Sequence, residues 1–76
     1  MVTIENRSGV DIIYNVMDSE VMIGRVVKGR GYKYPWRAYA VDRPHEVLGS
    51  FYQKEGGRKA AITLIVERYR LGIRQH

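Results

Sequence analysis

The chain has 76 residues, a mass of 8.8 kDa, a net charge of +5 and 45% hydrophobic residues. These values predict one small globular domain, residues 1–76, rather than a disordered segment. Because there is no cysteine, disulfides, cysteine-ligated zinc and thiol chemistry are excluded. No apolar run reaches the roughly 20 residues needed to cross a bilayer, and the first residues lack a secretory pattern. We therefore expect a cytoplasmic protein with no membrane partner.

The charge is distributed unevenly along the chain. Residues 1–24 contain one basic and four acidic side chains, whereas residues 25–76 contain twelve basic and four acidic ones. Such asymmetry is typical of a protein that turns one surface toward a polyanion, most often nucleic acid. The basic residues could also serve only to keep the domain dispersed in solution, and this interpretation stays open.

The first third of the chain predicts a β-hairpin. Apolar residues alternate at positions 2 and 4 and again at positions 10, 12, 14 and 16, and residues 6–9 between the two runs have turn composition. The segment 9–18 also fits one face of a helix that Ser8 would cap. The β-branched content favours the strand, but the sequence leaves both interpretations open.

Three further strands follow the hairpin, at residues 21–28, 36–41 and 46–53. Glycines on either side of Arg30 separate the first two, and a polar turn at 42–45 separates the last two. In the strand at 36–41, Ala38 and Ala40 share a face on which a helix can lie close, while Arg37, Tyr39 and Val41 point the other way.

A helix is predicted over residues 58–70, because Ala61, Ile62, Ile65, Val66 and Tyr69 recur at helical spacing and Gly72 is placed to cap its end. The predicted fold is therefore α+β, with an antiparallel β-meander of three to five strands and one C-terminal helix packed on one face.

Basic and aromatic side chains are interleaved between residues 30 and 39, with Tyr32 and Tyr34 among them. Nucleic-acid surfaces use such mixtures, because cations hold phosphates while aromatic rings stack on bases. Trp36 is expected in the core, since the domain has few other large apolar residues. The candidate contact residues in this stretch are Arg30, Lys33, Arg37 and Tyr39.

The predicted helix begins with two glycines followed by Arg58 and Lys59. The helix dipole disfavours cations there, whereas free backbone N–H groups attract anions, so a phosphate contact would explain the arrangement. A solvated helix end with Glu55 offsetting the charge is the alternative interpretation. We include Arg58 and Lys59 among the candidate contacts.

Catalytic and metal-binding patterns are poor. The acidic residues are scattered, and the two histidines, His45 and His76, are too few for a metal or catalytic cluster. His45 lies in a polar turn, as a surface histidine would. We predict no catalytic residue, no metal ligand, no cofactor and no enzymatic activity.

The stretches WRAYAV at 36–41, LGSF at 48–51 and KAAI at 59–62 follow one another in the order strand, strand, helix. With them, residues 28–69 resemble the three-stranded-sheet-plus-helix DNA-binding domains of AP2 transcription factors and tyrosine-recombinase N-terminal arms. The resemblance implies that the exposed sheet face enters the major groove, with Arg37, Tyr39 and Val41 toward DNA. It also implies supporting contacts from the preceding strand and turn, by Arg25, Lys28, Arg30 and Lys33. The sequence departs from that pattern in two ways. Val41 and Val47 stand where those families place charged or aromatic readers, and Glu46 puts an acid near the implied interface.

A fainter likeness is to double-stranded-RNA-binding domains, in which bases at the start of the last helix grip phosphates. That order requires residues 9–18 to be helical. We predict a small basic nucleic-acid-binding protein with DNA favoured over RNA, and its composition is like that of phage or mobile-element proteins. The alternative is a protein-interaction module, an inhibitor, adaptor or homodimer that uses an exposed strand edge or the acidic N-terminal third.

Overall fold

The computed structural model describes residues 1–31 and 33–74. In that part of the chain the elements are β1 (Val2–Asn6), β2 (Ile12–Asp18), β3 (Val21–Lys28), β4 (Trp36–Ala40), β5 (Val47–Phe51), a 3-10 turn (Gln53–Glu55) and α1 (Gly57–Arg74). The strands form one antiparallel sheet in the order β1-β2-β3-β4-β5, and α1 packs on β3, β4 and β5. The predicted α+β meander with a C-terminal helix is confirmed.

The first two strands form a hairpin, so the helical interpretation of residues 9–18 is wrong. Ser8, the residue offered as a helix cap, instead closes the loop, because its Oγ accepts the Ile13 N–H at 3.0 Å. Asn6 Oδ1 accepts the Ser8 N–H at 2.9 Å in the same loop. Val10 lies in this loop and is 92% exposed, so the predicted alternation begins two residues before the strand does. The described residues therefore do not have the helix-first order of a double-stranded-RNA-binding domain.

The core lies between the sheet and α1. Its fully buried members share the helix-facing side of β2, β3 and β4 or the inner stripe of α1, and are Val16, Ile23, Val26, Ala38, Ala61 and Ile65. A Cβ at Gly24 would lie 2.5 Å from Ile65 Cγ2 and 2.6 Å from the Tyr39 carbonyl oxygen. The close approach of α1 to β3 therefore depends on a glycine at this position, in the way that Ala38 permits it on β4.

Two bulges adjust which side chains reach the helix. On β3, Ile23 is the extra residue between the pairs Val16–Gly24 and Met17–Met22. On β5, Leu48 is the extra residue opposite the step from Ala38 to Tyr39. Because an extra residue shifts the side-chain alternation by one position, both aliphatic side chains join the helix side of the sheet.

The helix runs further than its predicted limits of 58 and 70. It begins at Gly57 and reaches Arg74, so Gly72 lies inside it, and the prediction that Gly72 caps the helix is wrong. The predicted inner stripe is confirmed, since Ala61 and Ile65 are buried while Ile62, Val66 and Tyr69 pack against the core. The burial of this stripe outweighs the weak helix preference of one glycine, which typically costs only about 1 kcal/mol.

Candidate nucleic-acid interface

The antiparallel meander sorts the basic side chains to one end of the sheet. At this end β1, β3 and β5 finish, β2 and β4 start, and α1 begins. We call it the basic end. Its loops and the residues beside them carry Arg7, Lys28, Arg30, Lys33, Arg37, Lys54, Arg58 and Lys59, against the acids Glu5, Asp11 and Glu55. The excess of positive charge in the sequence is therefore concentrated at one end of the fold.

The opposite end of the sheet has a different balance. Its two turns, at 19–20 and 41–46, and the strand ends beside them carry Asp18, Glu20, Asp42 and Glu46. Arg43 Nη1 lies 3.3 Å from Glu46 Oε2, and Arg68 Nη1 lies 3.6 Å from Asp42 Oδ1. The arginines that approach these turns are thus partly neutralised by carboxylates.

At the basic end only Arg7 has such a partner, because its Nε lies 2.6 Å from Glu5 Oε1. Within residues 1–31 and 33–74, the other seven cations of this end form no ion pair with a carboxylate. All seven are exposed except Lys28, which is half-buried. An uncompensated group of cations produces a positive potential that attracts polyanions.

Two of these cations also hold loops in place. Arg30 Nε and Nη2 donate to the carbonyl oxygens of Val10 and Gly9, at 3.1 and 3.0 Å. Lys28 Nζ donates to the carbonyl oxygens of Gly29 and Gly31, at 3.0 and 2.8 Å. The loops of the basic end are therefore fixed by the same cations that charge it.

A stack of rings and cations lies beneath the start of α1. The ring centroids of Tyr14 and Trp36 are 6.1 Å apart, Lys28 Nζ is 5.8 Å from the Trp36 centroid, and Arg58 Cζ is 5.2 Å from the Tyr14 centroid. Trp36 packs against the core but is only half-buried, so its predicted place in the core is borne out in part. Its Nε1 is buried and has no hydrogen-bond partner among the described residues.

The sheet face away from α1 carries three of the predicted contact residues. Arg25 and Tyr39 are cross-strand partners, and Arg37 pairs with Val27 two pairs further along, on the same face. Arg25 Nε donates to Asn15 Oδ1 at 3.2 Å. The orientation predicted for Arg37 and Tyr39, away from the helix-facing alanines, is confirmed.

Most of the remaining side chains on this face are apolar: Ile13, Met17, Met22, Val27, Val41 and Val47. A groove of about 470 Å³ crosses it between Met22 and Val41 and reaches the turn at Pro44 and His45. The exposed His45 fits the prediction of a surface histidine. This face therefore presents two arginines among many apolar side chains.

The eight predicted contact residues therefore do not share one flat surface. Six of them lie at the basic end, and the other two, Arg25 and Tyr39, lie midway along the open sheet face. Among the six, Lys59 lies beside a shallow groove with Phe51 and Leu64. Lys33 Nζ is 5.5 Å from the Tyr34 ring centroid. Tyr32 and His76 lie outside the described residues.

Two further residues at the basic end, Tyr52 and Lys54, were not identified from the sequence. They follow β5 in a short polar segment that carries no motif. Only the strand order places this segment beside the loop that follows β3.

No protein-family model, curated protein or solved structure matches the chain. In the described part of the chain, no three His, Cys, Asp or Glu side chains group closely enough to hold a metal ion. Over the same residues, no helix is both long and apolar enough to cross a membrane.

Proposed function

We propose that the chain is a non-enzymatic nucleic-acid-binding protein that contacts phosphates through its basic end. The observation that supports this is the group of seven cations at one end of the sheet, none of them paired with a carboxylate within the described residues. Such a cluster is the electrostatic footprint of phosphate recognition. DNA is preferred over RNA on the resemblance of residues 28–69 alone, and a cytoplasmic location accords with this role.

The size of the basic end suits several phosphates at once. Five strands at about 4.8 Å spacing make a sheet roughly 19 Å wide, which matches about five to six base pairs at 3.4 Å each. Arg37 lies on the open face of the sheet, whereas Arg58 and Lys59 lie on α1 on the other face. A nucleic-acid strand that crosses the end of the sheet can therefore contact cations from both faces of the sheet. A nucleic acid that contacts only the open face cannot.

Fluorescence anisotropy with labelled duplex DNA, duplex RNA and single-stranded DNA tests this proposal. Each phosphate contact on duplex DNA adds about −0.9 to the slope of log K against log salt, so four to six contacts predict a slope of about −4 to −5. A slope shallower than about −1, or no binding at low salt, would contradict the proposal.

Charge reversal locates the contact surface. We expect Arg37→Glu and Arg58→Glu each to weaken binding by about ten-fold or more, since each replaces an attraction by a repulsion. The control is Arg70→Glu, which makes the same change in net charge on an exposed residue that lies roughly 18 Å from Arg58 along α1. Equal losses in all three variants would show that net charge, and not the basic end, determines affinity.

A second candidate function is protein interaction through a strand edge. Both edge strands expose aliphatic side chains, with Val2 at 37%, Ile4 at 43% and Val47 at 44% exposure. An uncovered edge can pair with a strand of another chain. Light scattering over a range of concentrations tests self-association, and Ile4→Lys should abolish a dimer formed through β1. A monomer at every concentration would contradict the homodimer.

A further inference from the structure

A cleft of about 670 Å³ opens at the basic end between the loop that follows β3 and the turn that follows β5. Among the described residues two tyrosines line it, Tyr34 and Tyr52, and they are 42% and 43% exposed. The remaining lining residues are Lys28, Gly31, Gln53 and Lys54. Its volume falls within the range of about 300–1,000 Å³ that is typical of small-ligand sites.

The tyrosines of this cleft are held in place by the backbone around them. A Cβ at Gly29 would lie 2.9 to 3.2 Å from three atoms of the Tyr34 ring, so the ring packs directly on a glycine backbone. The Tyr52 carbonyl oxygen accepts the N–H groups of Glu55 and Gly57, at 2.8 and 3.1 Å. The Tyr34 ring therefore presents exposed aromatic surface from a fixed position, which lowers the entropy cost of stacking a ligand on it, and the turn holds the backbone from which the exposed Tyr52 ring projects.

The charge of the cleft is positive and uncompensated. Lys28 Nζ uses two of its hydrogens on the Gly29 and Gly31 carbonyl oxygens, and the third is available for a ligand. Lys54 is exposed at the cleft and has no ion pair in the described residues. No side-chain carboxylate of residues 1–31 or 33–74 lines the cleft, and the neighbouring Glu55 accepts the Tyr52 N–H at 3.2 Å.

We propose that this cleft binds an unpaired nucleobase, so that single-stranded nucleic acid is the preferred ligand of the basic end; this rests on the proposed function. Base faces stack on aromatic rings whatever the sequence, and lysines beside the rings hold the flanking phosphates. The Gln53 amide can donate to or accept from a base edge. A duplex keeps its bases stacked on one another, so it can engage the lysines but not the tyrosines.

The central comparison is between two single strands of equal length and equal charge, and a duplex with about twice the phosphates is the third ligand. Anisotropy titrations at fixed low salt use a labelled 12-nucleotide DNA strand, an abasic strand with the same number of phosphates, and the 12-base-pair duplex. We expect the natural strand to bind at least about ten-fold more tightly than the abasic strand, because stacking typically contributes about five- to a hundred-fold per base. A 12-nucleotide RNA strand should share this preference over its abasic counterpart.

Substitutions of the two tyrosines test whether the preference for the natural strand over the abasic strand depends on the cleft. Tyr34→Ala and Tyr52→Ala should each weaken binding of the natural strand by about ten-fold and leave binding of the abasic strand unchanged. Tyr34→Phe and Tyr52→Phe retain the rings and should stay within about two-fold of the parent. Leu71→Ala, an exposed change near the other end of α1, serves as a control, and circular dichroism verifies the fold of each variant.

The outcomes separate the two proposals. If no ligand binds even at low salt, the proposed function fails and the cleft proposal fails with it. If the natural and abasic strands bind equally, or the alanine variants bind the natural strand as the parent does, the cleft proposal is wrong while phosphate binding stands. Preferential binding of the duplex would likewise overturn the cleft proposal alone.

Discussion

At the basic end seven cations have no carboxylate partner in the described chain, whereas at the opposite end Arg43 and Arg68 lie 3.3 and 3.6 Å from Glu46 and Asp42. The two ends are built from the same sheet and differ in which loops meet there. In an antiparallel meander, successive loops alternate between the ends. The loop after β3 is basic, whereas the loops after β2 and β4 are acidic. The fold therefore places the basic loop at one end of the sheet and the two acidic loops at the other.

That separation has a consequence for stability as well as for binding. Like charges gathered at one end repel one another, and cations at a helix start also oppose the helix dipole. These costs are smaller at the opposite end, because Arg43 and Arg68 approach carboxylates and Arg68 lies in the C-terminal half of α1, where the helix dipole favours a cation. Matched substitutions at the two ends should therefore differ in their effects on stability or affinity, and each of the following predictions compares such a pair.

The two glycines of α1 should give the largest contrast. Gly57 has φ +51°, and a Cβ there would lie 3.2 Å from Trp36 Cδ1, so Gly57→Ala should lower the free energy of unfolding by about 1–2 kcal/mol. At Gly72, within the helix, an added Cβ meets no atom within 4 Å, so Gly72→Ala should raise it by about 0.4–1 kcal/mol.

Urea unfolding of both variants, followed by circular dichroism and by the fluorescence of the single tryptophan, measures this difference. The tryptophan lies beside Gly57 and so reports on the basic end directly. A rise in the free energy of unfolding for Gly57→Ala, as for Gly72→Ala, would show that the start of α1 does not impose the positive φ described for Gly57.

The features of the fold that could be predicted from the sequence are those that depend on local residue patterns. The strands and the inner stripe of α1 follow from local periodicity, and the pair Ala38–Ala40 predicted the helix-facing side of β4. The bulge at Ile23 could not be read, because it depends on pairing with β2 rather than on the β3 sequence. The extension of α1 through Gly72 was also missed, because tertiary packing prevails over the preference of one residue.

The candidate site also contains residues that a local sequence signal identified and residues that only the strand order brings together. Arg58 and Lys59 were placed at a helix start by a local signal, and the structure has them in the first turn of α1. The contrast of charge between residues 1–24 and the rest suggested two halves of the chain, whereas the structure separates two ends of the sheet. Tyr52 and Lys54 carry no local signal, so only the strand order brings them beside Tyr34.

A smaller effect is expected at Lys59, where stability and affinity should move in opposite directions. Lys59→Glu removes a cation from the first turn of α1 and adds an anion, which typically stabilises a helix by about 0.3–1 kcal/mol. The same change should weaken nucleic-acid binding, because it reverses a charge of the basic end. Thermal unfolding at low salt measures the first effect, and anisotropy measures the second.

Arg70→Glu provides the control for Lys59→Glu, since it changes the net charge equally at an exposed position near the other end of α1. It should give no gain in stability and a smaller loss of affinity. At about 1 M salt, where the screening length is about 3 Å, the gain from Lys59→Glu should disappear. A gain that persists there would contradict the electrostatic explanation.

The smallest effects are expected at the ion pairs of the opposite end. The side chains of Arg43 and Glu46 are 62% and 61% exposed, and exposed pairs typically contribute about 0–1 kcal/mol. Arg43→Gln should therefore lower the free energy of unfolding by less than about 0.5 kcal/mol, as urea unfolding would show. It should also leave the affinity for nucleic acid nearly unchanged, although it lowers the net charge by the same unit as Arg37→Gln. If the two variants lose affinity equally, binding follows the total charge of the chain; if only Arg37→Gln does, it follows the placement of charge at the basic end.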